Sequence, residues 1–169
     1  PIAGQVIERF GQLRDMHPLA DVRAALIRNL ESLNSVQLRS HGGVLWVPGP
    51  HAAAVRRLQA AIEQIGGSRL YLLPITATEE GRDTLSDIAR GALEADLAAL
   101  KDEIDAFVAS PPERESTLLR RLEAFTALRQ RAELFRSVLA VQVDDLTRQM
   151  AELERTVGDL VHDRQSAAA

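Results

Sequence analysis

The sequence predicts an α+β fold: a small three-stranded sheet with packing helices, followed by a long antiparallel helical hairpin of coiled-coil type. Three observations carry this expectation. The spacing of apolar residues changes from three-and-four to two over residues 36–47, then returns to the helical period from residue 50. From residue 93 to 160 apolar residues recur every three or four positions, interrupted once at "SPPERES". Aromatic residues make up only 4% of a chain that is 46% hydrophobic, so leucine, alanine, valine and isoleucine supply the apolar mass. That supply favours helix packing over a β-sandwich.

Residues 1–78 read as the α+β head. Ile2, Val6, Phe10 and Leu13 share one helical face, which predicts a helix over 2–16. Pro18 ends it by disfavouring helical geometry at His17. Val22, Leu26, Leu30 and Leu33 predict a second helix over 19–33. In the next stretch Val36 and Leu38 alternate with Gln37 and Arg39, and "VLWVP" follows Gly42-Gly43. This predicts a β-hairpin over 36–47 with positive φ at the glycines. Pro50 suits the first turn of a helix over 50–65 and Gly66-Gly67 its end, with Val55, Leu58, Ile62 and Ile65 as the buried stripe. "SRLYLLPI" reads as a third strand over 69–75, with Pro74 near its end.

Residues 79–169 read as the helical hairpin. Leu93, Leu97, Leu100, Ile104 and Phe107 line the first arm, and the prolines of "SPPERES" predict a turn near 110–116. The second arm continues through Leu118, Leu122, Phe125 and Ala132, then Phe135, Leu139, Leu146, Met150, Leu153, Val157 and Leu160. Val143 beside Gln142 is the one place where its register is ambiguous. Helices over 82–109 and 114–163 would be about 42 and 75 Å long, so the second would overshoot the first by about 30 Å. An apolar stripe of that length needs a covering, either the head or another chain. Phe135, Leu139, Leu146, Met150, Leu153, Val157 and Leu160 are therefore the expected seam of a homo-oligomer or of a helical protein partner. The tail "DRQSAAA" has no seam and is expected to fray.

The combination of "HGGVLWVP", "GGSRLYLLPI" and a following acidic helical region resembles an uncharacterised family of prokaryotic and phage proteins. In that family a small β-hairpin domain precedes long charged helices. The resemblance spans roughly residues 36–160. It implies the architecture, and it carries no activity and no functional residue.

Charge and composition exclude several classes. The net charge of -4 argues against general affinity for nucleic acid or anionic membranes. It is unevenly divided, +3 over residues 1–76 and -7 over 77–169. With no cysteine there is no disulfide framework and no thiolate metal site. No apolar run approaches the roughly 20 residues that span a bilayer. "PIAGQVIERF" lacks the basic start and continuous apolar segment of a signal peptide. A cytoplasmic chain without membrane contact is expected.

The residues that could carry chemistry each have a plainer role. Trp46 suits a stacking platform for a base or ligand, but such platforms use several aromatics and only Tyr71 could accompany it, so packing is the expectation. His17, His41, His51 and His162 have no mutual metal-ligand spacing, and Asp159 with His162 is too small a set for a di-metal bundle. His41 and His51 are expected to be exposed polar residues. Glu94, Asp96, Asp102, Glu103 and Asp105 could do acid–base work only if burial split their pKa values, and a solvated helix face is expected. No nucleophile elbow, Walker loop or dinucleotide fingerprint is present. Pro1-Ile2 matches the N-terminal proline of small tautomerases, with nothing downstream to support it.

The expected function is accordingly non-enzymatic: an assembly or interaction protein that uses its coiled-coil arm and needs no cofactor. The alternative is a DNA-binding head of winged-helix type, dimerised by the arm. Arg23, Arg28, Arg39, Arg56, Arg57 and Arg69 would then contact nucleic acid. The modest positive charge and the third strand speak against it.

Overall fold

The computed structural model describes residues 19–39, 43–65, 69–75, 78–110 and 115–167. The expected helix over 2–16, His17, His41, Gly42, Gly66-Gly67 and Pro111-Pro112 lie outside them. The chain forms two compact units, Pro1–Leu72 and Leu73–Ala169.

In the first unit, helix α1 spans Leu19–Ser32. It ends because Asn34 takes a left-handed φ of 57°, a conformation asparagine tolerates better than most residues. The Ser35 N–H then donates to Leu30 O at 3.2 Å and the Asn34 N–H to Glu31 O at 2.9 Å. This pair of bonds satisfies two of the carbonyls a helix end leaves orphaned. Strand β1 (Val36–Gln37) pairs antiparallel with β2 (Leu45–Trp46), Val36 opposite Trp46 and Gln37 opposite Leu45. Leu38 extends the ladder by donating to Val44 O at 3.1 Å. Val36 and Trp46, on one face, are buried. Pro48, also buried, leads into a 3-10 turn over Gly49–His51 and then helix α2, Ala52–Ile65.

Three expectations for this unit are corrected. Gly43 does not adopt a left-handed φ, and a Cβ there would meet nothing within 4 Å. Ile65, assigned to the buried stripe of α2, is exposed, while Val55 and Ile62 are buried. The sheet has two strands among the described residues, because 69–75 does not pair with it. Gln59 Nε2 donates instead to Leu70 O at 2.8 Å, holding the start of that segment against α2.

The second unit contains helices α3 (Glu79–Ala109), α4 (Glu115–Leu139) and α5 (Asp144–Ala167). Thr78 caps α3, its Oγ1 accepting from the Gly81 N–H at 3.1 Å, and Glu79 and Glu80 in the first turn suit the positive end of the helix dipole. At the other end the Ser110 N–H donates to Ala106 O at 2.9 Å, just before the proline pair.

The expected helical hairpin is corrected to three helices, because the second arm is not one helix. It breaks at residues 140–143. Ala140 has a left-handed φ of 57°, and its N–H reaches back to Arg136 O at 3.0 Å, the single bond of a left-handed helix cap. Val141 and Val143 plug the turn with buried side chains. Helix α5 starts with Asp144 and Asp145 in its first turn and a Thr147 N–H to Val143 O bond of 2.8 Å. At 25 and 24 residues, α4 and α5 are each about 36–38 Å long, so no overshoot remains.

Cross-helix ion pairs fix the directions. Arg121 pairs with Glu103 and Arg131 with Asp96, so α4 runs antiparallel to α3. Arg129 pairs with Glu154 and Arg90 with Asp145, so α5 runs antiparallel to α4 and parallel to α3. The core is a stack of heptad positions: Ala89, Leu93, Leu97 and Ile104 from α3, Leu118, Phe125, Leu128, Ala132, Phe135 and Leu139 from α4, and Leu146, Met150 and Val157 from α5. Each large side chain buried there contributes about 1.5–3 kcal/mol of hydrophobic stabilisation.

Candidate functional site

The residues expected as the seam of an oligomer or a helical partner pack among the three helices of the second unit. Phe135, Leu139, Leu146, Met150 and Val157 are buried, with Leu153 and Leu160 half-buried at the edge. The overshoot that made them a partner surface does not exist. Arg131, one turn before Phe135, lies 5.3 Å from the ring centroid, close enough for a cation–π contact.

The acidic run of α3 has a structural role. Asp96 and Glu103, one heptad apart, receive Arg131 and Arg121 from α4, the Arg121 Nε lying 2.6 Å from Glu103 Oε2. Glu94 pairs with Arg90 on its own helix at 2.8 Å, while Asp102 and Asp105 face solvent. Arg90 spreads its whole guanidinium fork: Nε to Glu94, one terminal nitrogen to Gln142 O at 2.7 Å and the other to Asp145 Oδ2 at 2.7 Å. That fork ties α3 to the turn between α4 and α5. The Asp145 hydrogen bond, then that of Glu94, raises the Arg90 pKa, and the Arg90 hydrogen bond holds the Asp145 carboxyl below its usual range. Sequence reasoning missed this staple. Its one local signal was a basic residue four before an acid on an acid-rich helix.

A cleft of about 430 Å³ opens between α4 and α5 beside the turn, lined among others by Arg129, Glu133, Arg136, Val143, Asp144 and Thr147. Its charges are largely spent: Arg129 on Glu154, Arg136 on Glu133 at 3.7 Å. His162 and Asp159 face solvent, and no group of three potential metal ligands forms among the described residues. His51, expected to be exposed, is half-buried, and its Nε2 is shielded from water without a hydrogen-bond partner among those residues. Trp46 is 8% exposed and so presents no open stacking face. Arg23, Arg28, Arg39, Arg56, Arg57 and Arg69 are all exposed.

The segment 69–75, expected as a third strand, is an exposed apolar stretch. Tyr71 is 74% exposed, Leu73 85% and Ile75 53%, against 36% for Leu72. Contiguous exposed apolar side chains of this size mark a contact surface more often than a bare loop.

No curated protein and no solved structure matches the chain. A family model described as a family of unknown function, DUF6744, matches residues 1–166, and the chain belongs to that family.

Proposed function

We propose that this chain is a non-enzymatic interaction protein acting in the cytoplasm, prokaryotic or phage in origin as the resemblance of its hairpin and "LP" segment suggests. The observation that carries the reading is the exposed apolar run Tyr71, Leu72, Leu73 and Ile75. The helical unit satisfies its own core, so it acts as a rigid body and the contact surface lies on 69–75 instead of the heptad seam. A photo-crosslinking amino acid at position 71, introduced in cells that express the chain, tests this. One discrete protein adduct at 71, absent with the same probe at the solvent-facing position 102, is expected. Equal, diffuse labelling at both positions contradicts it.

A second reading is favoured by the arginines. Arg90, Arg121, Arg129, Arg131 and Arg136 of the helical unit hold acidic partners, whereas none of the six exposed arginines of the first unit has one among the described residues. Such guanidinium groups suit phosphate contacts. Duplex binding that falls steeply with salt, and that Arg56→Glu with Arg57→Glu abolishes, would establish this reading; no binding near physiological salt would end it.

A further inference from the structure

We infer that the turn at residues 140–143 is a hinge, and that chains folding together open it and exchange helix α5, giving a domain-swapped dimer. The inference goes beyond the interaction reading above and does not use residues 69–75.

The two links within the helical unit are built from different residues. Between α3 and α4 the chain carries Pro111-Pro112, which cannot sit inside a continuing helix. No glycine or proline occurs between Pro112 and Gly158, so no residue type there forbids one helix through α4 and α5. The residue that turns the chain is Ala140, at a φ of 57°. Alanine is the best helix former, and its Cβ makes the left-handed region unfavourable. A helix end normally places glycine or asparagine there, as α1 does with Asn34.

The hydrogen bonds flanking the turn already have helical spacing, from the Ala140 N–H to Arg136 O and from the Thr147 N–H to Val143 O. Between them, the N–H groups of Val141, Gln142 and Val143 meet no acceptor among the described residues. In one continuous helix they would donate to the carbonyls of Ser137, Val138 and Leu139. The apolar stripe also runs through the break. On a straight helix Leu139, Val143, Leu146 and Met150 keep spacings of four, three and four, which hold them on one face. Val141 falls on the opposite face and would surface, although the turn buries it.

In the exchange, α5 of each copy takes the place of the other's α5 against α3 and α4. Because α5 runs antiparallel to α4, the two long helices then lie antiparallel about a twofold axis at the hinge. The seam contacts are remade between identical surfaces, so only the hinge and the concentration separate the two forms. Relief of Ala140 and three added backbone bonds favour the exchanged form. Burial of Val141 favours the closed one, as does the Arg90 bond to Gln142 O at 2.7 Å, which holds that carbonyl out of a helical ladder. Short links under strain invite such exchange. It requires α5 to leave a buried core, so it happens during folding, and a folded chain keeps the form it has reached.

Refolding the full chain from urea at a few micromolar and at hundreds of micromolar tests this, with light scattering after size-exclusion chromatography at one low concentration. The dilute sample should be monomeric, and the concentrated one should contain a dimer that persists on dilution. Ala140→Gly, at home in the turn and poor in a helix, should lower the dimer yield by about tenfold or more. Val141→Ser, which loses burial only in the closed form, should raise it severalfold. A short bismaleimide across Arg129→Cys and Glu154→Cys, an α4–α5 pair in a chain with no other cysteine, identifies the exchange. In the dimer it should join two different chains, seen as a covalent dimer on a denaturing gel, and in the monomer it should stay within one. No dimer at hundreds of micromolar, a dimer whose crosslinks stay within single chains, or a yield that Ala140→Gly leaves unchanged would each overturn the inference.

Discussion

Replacing Ala140 with glycine should stabilise this protein, and the sign of the effect is the informative part. Ala140 sits at a φ of 57° and closes α4 by donating to Arg136 O. A left-handed conformation costs an L-residue with a Cβ about 1–2 kcal/mol. Glycine escapes that cost but gives back about 0.4–1 kcal/mol through the greater freedom of its unfolded chain. The net gain is about 0.5–1 kcal/mol, a rise in the melting midpoint of roughly 2–6 °C for a unit of this size. Urea unfolding followed by circular dichroism at 222 nm reads it, because the three helices dominate that signal. If residues 114–163 formed one helix, the same glycine would lie in its interior and destabilise by about 0.5–1 kcal/mol. A lower urea midpoint for Ala140→Gly would therefore refute the turn.

Other expectations follow from the same geometry. Arg90 holds the Asp145 carboxyl below its unfolded value, so the pair contributes stability that is present above the unfolded carboxylate pKa and is lost as pH falls through the folded one. Urea midpoints taken from pH 7 down to about 2.5 should fall more steeply for the wild type than for Asp145→Asn. Trp46→Ala should cost on the order of 3–5 kcal/mol, as aromatic truncation in a core does. The emission of Trp46, the only tryptophan, should be blue-shifted and resist quenchers. A red-shifted emission that moves when duplex DNA is added would favour the arginine-rich reading instead.

Much of the helical unit is legible in the sequence because burial of a heptad stripe is a local, periodic demand. Leu93, Leu97 and Ile104, then Phe125, Ala132 and Phe135, are marked by spacing alone and are buried. The break at 140–143 is hidden for a physical reason. Alanine is the best helix former, and valines at 141 and 143 preserve the apolar character of a seam while in fact filling a turn. The signals that were there are the paired acids Asp144 and Asp145, which suit a helix start, and the lapse of register around Gln142. Residues 69–75 show a different limit. Their composition declares a strand, but pairing is a property of two strands, and nothing local says that Gln59 will claim Leu70. The Arg90 fork shows only its Glu94 prong locally, since its other two partners lie 52 and 55 residues away.

The central claim is that the heptad seam folds back on its own chain, which frees 69–75 to be the contact surface. A distance between residues 120 and 159 tests it most directly. Both are solvent-facing, and the absence of native cysteine leaves introduced thiols as the only labelling sites. The Arg129–Glu154 pair sets the register of α4 against α5 and brings 120 and 159 near the same end of the bundle. Double electron–electron resonance on Arg120→Cys with Asp159→Cys, diluted into unlabelled protein, should give a single distance of about 15–25 Å, one packed-helix spacing plus the two labels. A continuous helix would separate the sites by about 58 Å, and a distribution centred there would contradict the account.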